Sequence, residues 1–212
     1  MLYLDEIFVS IQGESTDAGL PCVFVRLFGC NVKCTYCDQP QKACNRKRVS
    51  IGNLIQMIKR YRVPYVCITG GEPLIQDDVY PVIYELVGEG YKVSIETNGC
   101  VPIEPCSYNR SYKYVMDIKC PSSGVSDKNI LTNLGNLMPH DEVKFVIADE
   151  EDYKFAKRIL RSYPTSAKIL FSPMFDKKGK PMIGQQLIDW LIKDKFYYAR
   201  VQIQMHKCIG VK

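Results

Sequence analysis

From residue 50 onward the chain changes hydrophobic period again and again, and this alternation narrows the folds open to it. Ser50 is a candidate N-cap for a helix whose apolar side is Leu54, Ile55, Ile58 and Tyr61. A β-rich run, Tyr65-Val66-Cys67-Ile68-Thr69, follows. The pattern then predicts a helix over 78–88 (Val79, Val82, Ile83, Leu86), strands near 91–97 and 112–119, and a helix after Ser126. Beyond these it predicts a strand over Glu142–Ala148, a helix over Glu150–Tyr163, a strand over Ala167–Ser172, a helix over Gly184–Lys193 and a last strand over Ala199–Met205. Strands joined by helical crossovers imply a parallel sheet.

A closed eight-fold βα barrel takes roughly 250 residues. With 212 residues, the chain reads as α/β, an open or partial βα barrel whose parallel sheet of about six strands is flanked by helices. No repeat, low-complexity tract or long linker divides it, so residues 1–212 are expected to form a single domain. In such sheets ligands gather at the C-terminal ends of the strands, which gives most weight to whatever follows each strand.

Composition, 46% apolar and 24% charged, is that of a compact soluble domain. The net charge of +5 is too small an excess to indicate nucleic acid by itself and suits anionic small substrates equally. Asp5 and Glu6 stand where a secretion leader needs positive charge, and no apolar run reaches membrane-spanning length. The expectation is a cytoplasmic protein without a membrane partner, in which ten cysteines are reduced thiols or metal ligands.

Three of those cysteines, Cys30, Cys34 and Cys37, follow the apolar strand Cys22–Leu27 at spacing C-x3-C-x2-C. A short loop converges three thiolates at small entropic cost, and thiolates are the usual ligands of iron–sulfur clusters. Three ligands for four irons leave one iron open. A zinc site would want paired short spacings and a fourth ligand, with His140 and His206 both distant in sequence, and unpaired thiols are the third reading. Cys22, Cys44, Cys67, Cys100, Cys106, Cys120 and Cys208 form no second tight run and read as buried or idle thiols, although folding could unite Cys100, Cys106 and Cys120. The basic run Lys42–Arg48 reads as a solvated loop.

Other strings sit where strands end. In Thr69-Gly70-Gly71-Glu72-Pro73 two glycines let backbone approach a ligand and Glu72 offers a carboxylate to an ammonium, while a plain turn explains Gly-Gly as well. Glu96 is a charge inside an apolar strand, costly without a partner, or else an outward residue before a turn at Asn98-Gly99. Asp117-Ile118-Lys119 is a candidate for a cofactor's ribose or carboxylate, and Ser172-Pro173-Met174-Phe175 is either similarly used or an exit turn. Arg26, within Val23-Phe24-Val25-Arg26-Leu27, makes sense if it meets a carboxylate in bidentate fashion, which predicts an acidic substrate. The leader Glu6–Glu14 ends in polar groups around a glycine, and a solvated hairpin is its bland explanation.

The C-x3-C-x2-C spacing with Tyr36 before the last cysteine resembles the radical S-adenosylmethionine superfamily. The resemblance implies that Cys30, Cys34 and Cys37 hold a [4Fe-4S] cluster, that S-adenosyl-L-methionine chelates the open iron, that Tyr36 lies close to its adenine, and that reduction yields a 5′-deoxyadenosyl radical. It also assigns the TGGEP string, with Glu72, to the methionyl amine. Taken together, EIFVSIQGE, Arg26, the cysteine loop with Asp38, TGGEP, Pro121-Ser122-Ser123-Gly124 and Gln204-Met205-His206-Lys207 are similar to the 7-carboxy-7-deazaguanine synthase family over nearly the whole chain.

That resemblance implies conversion of 6-carboxy-5,6,7,8-tetrahydropterin to 7-carboxy-7-deazaguanine with loss of ammonia, on the route to queuosine and other deazapurines. Gln12, Gly13 and Glu14 would contact the pterin, Arg26 its carboxylate and Thr69 the substrate, with Glu96 and His206 as weaker substrate candidates. Tyr36, Asp38, Gly71, Glu72, Asp117–Lys119 and Ser172–Phe175 would serve S-adenosylmethionine. A homodimer and an electron donor such as flavodoxin or ferredoxin are implied as well, and no nucleic-acid partner. Two departures stand out: Gln39 replaces the usual Ser or Thr ligand of Mg2+, and the end, Cys208-Ile209-Gly210-Val211-Lys212, lacks the aromatic and proline often found there. Rival expectations are an activase that makes a glycyl radical on a partner protein and a zinc-dependent nucleic-acid-binding module.

Overall fold

In the computed structural model, residues 1–37, 39, 46–104, 111–176 and 179–212 are described. Nine strands form one sheet: β1 (Leu2–Ile11), β2 (Pro21–Leu27), β3 (Lys47–Val49), β4 (Tyr65–Gly70), β5 (Lys92–Thr97), β6 (Tyr112–Ile118), β7 (Glu142–Ile147), β8 (Lys168–Pro173) and β9 (Ala199–Val201). Their order is β3-β1-β2-β4-β5-β6-β7-β8-β9. From β2 to β9 every pair is parallel, whereas β1 runs antiparallel to both β2 and β3. β3 and β9 are the outermost strands and do not meet, so the barrel is partial, as expected, with more strands than the six foreseen. Seven of the nine are the runs read as strands in the sequence; the other two are the leader, which pairs with β2, and β3, which overlaps the end of the basic run. Lys47 and Arg48 are exposed there, and a short charged edge discourages pairing with another chain.

Helices α1 (Ile51–Lys59), α2 (Val79–Gly88), α3 (Glu150–Ser162) and α4 (Gly184–Lys193) lie where the periodicity puts them. Ser50 caps α1 by accepting the Asn53 amide, and Asp149 caps α3 by accepting that of Asp152. Acidic Glu150, Glu151 and Asp152 in the first turn of α3 complement the helix dipole. Leu54, Ile55 and Ile58 of α1, with Val82, Ile83 and Leu86 of α2, pack on Val25, Ile68, Ile95, Tyr114, Val143 and Phe171 of the strands. Each such side chain contributes about 1.5–3 kcal/mol when fully buried.

Two expectations are corrected. No α-helix follows Ser126; short 3-10 turns occupy Ser126–Lys128 and Leu131–Asn136. Asn129 and Asn133 explain this, because their side chains bond the backbone of Lys119 and Val101 and hold the segment as a polar plug. The last strand stops at Val201, residues 202–204 are irregular, and α5 (Met205–Ile209) begins where the strand was expected to end. There the chain turns back to the leader, the Met205 amide donating to Gly13 O at 2.8 Å. Among the described residues no helix is long and apolar enough to cross a membrane.

Candidate active site

Side chains alternate across each strand, so the residues between the core positions share the opposite, polar face. Arg26, Thr69, Glu96, Asp117 and Lys144 all fall there, next to Val25, Ile68, Ile95, Met116 and Val143 of the core. Register brings them level: Arg26 stands beside Thr69 and Asp117 beside Lys144.

The leader and the tail complete this face. The Thr69 hydroxyl donates to Glu96 Oε2 at 2.8 Å and Gln12 Nε2 to Glu96 Oε1 at 3.3 Å. The Glu14 amide donates to Gln12 Oε1 at 3.0 Å, fixing the turn that holds Gly13. Glu14 accepts Lys144 Nζ at 2.5 Å on one oxygen and Gln204 Nε2 at 2.5 Å on the other. Burial would raise the Glu14 carboxyl, but the charge and hydrogen bond of Lys144, with Gln204, hold it down at about 2. Burial would likewise lower Lys144, and the Glu14 charge keeps it above its ordinary value. Lys144 lies 3.8 Å from Asp117 Oδ2, which in turn accepts Lys119 Nζ at 2.9 Å. One line of charge thus runs from Glu14 to Lys119. His206 packs against Gly13 so closely that a Cβ there would lie 2.0 Å from its Nδ1.

At the C-terminal ends of the strands the cysteine loop is held on both flanks. Gly71 N and Glu72 N donate to Leu27 O and Gly29 O at 3.3 and 2.8 Å. A Cβ on Gly70 would lie 2.1 Å from Leu27 O, and one on Gly71 would lie 2.1 Å from Gly29 O and 2.7 Å from Cys30 Cβ. The glycine pair therefore serves the loop itself: it lets β4 end flat against the cysteines. On the other flank Thr35 N and Oγ1 donate to Ser123 O and Ser122 O at 3.0 and 2.6 Å, which gives the Pro121–Gly124 string its purpose.

Cys30 and Cys37 are exposed and Cys34 is half-buried. Burial pushes the Cys34 thiol up against the pull of Lys119. Among the described residues no three metal-ligating side chains are drawn onto one centre. The donor set fits a three-thiolate [4Fe-4S] cluster. Two buried oxygens of residues that neighbour Cys34, Tyr36 Oη and Asp117 Oδ1, have no hydrogen-bond partner among the described residues, as groups awaiting a polar ligand would. The histidines weigh against zinc: His140 bonds the Tyr112 carbonyl at the far end of β6, and His206 is seated on Gly13.

Three sequence expectations change. Glu72 is fully buried and accepts Thr97 Oγ1 and the Leu74 amide on one oxygen and the Asn98 amide on the other, so three of its roughly four acceptor sites are engaged inside the protein and one is left for an ammonium. Ile118 and Pro173 are buried, Ile118 within the apolar core, leaving their backbone alone for a cofactor. Arg26 meets a carboxylate of its own chain: Nε lies 2.9 Å from Glu6 Oε1, a single ion-pair contact among the described residues, with the two terminal nitrogens left for another anion. Ser172 is buried on β8, the Met174 amide donates to Ile147 O, and Phe175 bridges to Pro181 beneath Lys207. Gln39 is exposed. Asp38, Cys44 and Cys106 lie outside the described residues.

Lys144 and Asn98 were missed. Lys144 carried the signal that found Glu96, a charge at an inner position of an apolar strand, whereas Asn98 read as a turn residue. A cavity of about 390 Å³, lined by Asp17, Lys113, His140 and Lys168, opens at the opposite, N-terminal end of the strands.

The sequence profile of the Radical SAM superfamily matches residues 25–117. The chain is 39% identical to 7-carboxy-7-deazaguanine synthase of Methanospirillum hungatei over 97% of its own length and 84% of the relative's. It is 36% identical to the enzyme of the same name from Koribacter versatilis, over 98% and 96%. The crystal structure of QueE from Escherichia coli superposes with a TM-score of 0.75 at 22% identity, covering 97% of this chain and 94% of that one, a likeness of fold.

Proposed function

The chain belongs to the 7-carboxy-7-deazaguanine synthase family, and on that premise we propose that it converts 6-carboxy-5,6,7,8-tetrahydropterin to 7-carboxy-7-deazaguanine with release of ammonia, in the making of queuosine or a related deazapurine. The radical SAM family implies a [4Fe-4S] cluster and S-adenosylmethionine. When bound, the two supply a hydrogen-abstracting carbon radical.

The observation that carries the reading is the polar face itself. Gln12, Glu14, Thr69 and Glu96 come from three separate segments, are bonded to one another, and share the face with Arg26. The terminal nitrogens of Arg26 suit the substrate carboxylate. Glu96 and Gln12 present an acceptor and a donor to the pterin amide and amines. Glu14, held ionised by Lys144, suits the N–H-rich edge of the ring. Asp117, on this face, and Lys119, paired with it, are the groups of the charge line that neighbour Cys34, and they suit the sugar or carboxylate of S-adenosylmethionine. Engaged in their present bonds, these groups keep their orientation before substrate arrives.

Self-association as a homodimer, reduction by a flavodoxin- or ferredoxin-like donor and a magnesium ion at Gln39 belong to the same proposal. The test is anaerobic reconstitution with iron and sulfide, then reductant, S-adenosylmethionine and the carboxypterin, with products followed by mass spectrometry with and without Mg2+. Deazapurine formation is the expected result. Deoxyadenosine without deazapurine would overturn the substrate and point to a partner protein as the radical's target.

A further inference from the structure

Asn98 is 6% exposed and uses every hydrogen-bonding group it has. Its amide N donates to Glu72 Oε2 at 2.6 Å, its Oδ1 accepts the Cys100 amide at 2.8 Å, and its Nδ2 donates both to Asn31 Oδ1 at 2.8 Å and to Cys30 Sγ at 3.7 Å. Which end of the side chain faces the sulfur follows from its neighbours. The Cys100 N–H can only donate, so the atom opposite it is Oδ1. Asn31 is oriented in the same way, because its Nδ2 donates to the Cys100 carbonyl at 3.0 Å and its Oδ1 must then face Asn98. Two backbone groups of one residue thus fix both amides, and the N–H of Asn98 is the group that meets Cys30.

We propose that Asn98 is a positioning residue that sets the reduction potential of the cluster through an N–H···S hydrogen bond to Cys30. The inference rests on the reading that Cys30 is a cluster ligand. Hydrogen bonds to ligand sulfur are among the factors that set iron–sulfur potentials. A reduced cluster carries one more negative charge than an oxidised one, so a donor on its sulfur stabilises the reduced form and raises the potential. Burial of Asn98 strengthens the effect by keeping water from competing for its N–H. The same residue ties the cysteine loop to Glu72, which bonds the end of β5, so the donor's position is locked from behind.

The test is a potentiometric titration, followed by electron paramagnetic resonance, of the reconstituted protein without substrate, together with its iron and sulfide content. Asn98→Leu removes the N–H without adding charge. Asn98→Asp keeps the acceptor for Cys100 but adds a charge, and Asn31→Asp adds the same charge to the same cluster of side chains while leaving Asn98 on the sulfur. The expected result is full iron content with a potential below the parent's in Asn98→Leu. Asn98→Asp should fall below Asn31→Asp by about tenfold in the ratio of reduced to oxidised cluster at fixed potential, about 59 mV for one electron. A parent-like potential in Asn98→Leu, or equal potentials in the two aspartate variants, would overturn the proposal. If Asn98→Leu fails to hold iron, the aspartate pair decides alone. A parent protein that assembles no cluster at all would sink the ligand assignment and this inference with it.

Discussion

Lys144 Nζ stands 2.5 Å from Glu14 Oε2, joining a strand of the parallel sheet to the leader across 130 residues of sequence. Both side chains are largely buried, at 12% and 14% exposure. The pair therefore fixes the position of the leader turn as well as the charge of Glu14, and Gln204 adds the tail to the same carboxylate.

Removing one partner leaves the other charged and buried. Lys144→Met is expected to cost about 3–5 kcal/mol, read as a lower urea midpoint with unchanged slope. The double variant Glu14→Gln/Lys144→Met should be markedly more stable than Lys144→Met alone, because no buried charge remains. If the two losses simply add, the pair is not coupled in the way its geometry indicates.

Gly71→Ala is expected to release the cysteine loop. The new Cβ would meet Gly29 O at 2.1 Å and Cys30 Cβ at 2.7 Å, and backbone cannot yield as a side-chain tip does. Iron incorporation on reconstitution should fall sharply. Gly52→Ala, in the exposed part of α1 with nothing within 4 Å of the added carbon, should leave iron content unchanged and raise stability by up to about 1 kcal/mol. Equal iron content in the two variants would show that the close packing of β4 on the loop is dispensable.

At Gly13 the obstruction is an imidazole. Gly13→Ala would place its methyl on His206, with Nδ1 at 2.0 Å, and drive the α5 segment off the leader. A rise in KM for the carboxypterin larger than any change in kcat is expected. Combining it with His206→Ala should restore the contact of α5 with residue 13 while leaving the substrate without the imidazole. Protection of the Met205 amide, which donates to Gly13 O, from hydrogen exchange reports the docking directly.

The parallel sheet and its helices were legible because each crossover carries an uninterrupted apolar period, as in Val82, Ile83 and Leu86 of α2. The segment after Ser126 was not. Its asparagines spend their side chains on distant backbone, at Lys119 and Val101, and local propensity holds no trace of those partners. The same limit separates Glu96 from Glu72. Glu96, inside an apolar run, announced a polar neighbour and has Thr69 and Gln12. Glu72 sits in a motif that pointed to a ligand, yet the bonds that occupy it come from Thr97 and Asn98, two residues known only as the end of another strand. Arg26 was read as meeting a carboxylate, and it does so at Glu6, whose place opposite it depends on the β1–β2 register and on the irregularity between Leu4 and Glu6.

Acid should remove the contribution of Glu14 from stability in a defined window. Its carboxyl falls from 4.5 in the unfolded chain to about 2 in the folded one, since Lys144 and Gln204 outweigh the effect of burial. A group whose folded value is depressed contributes its full stabilisation above the unfolded value and loses it as the pH drops through the folded one. The stability difference between the parent and Glu14→Gln should thus be level above about pH 5 and shrink steadily below it, by on the order of 3 kcal/mol at most. Other carboxylates titrate over the same range, but they do so in both proteins and cancel in the difference. Urea unfolding of the two proteins from neutral pH down to about pH 3 measures it. A difference that stays constant across that range would mean that Lys144 does not hold Glu14 ionised, and the charge line from Glu14 through Asp117 to Lys119 would lose its first member.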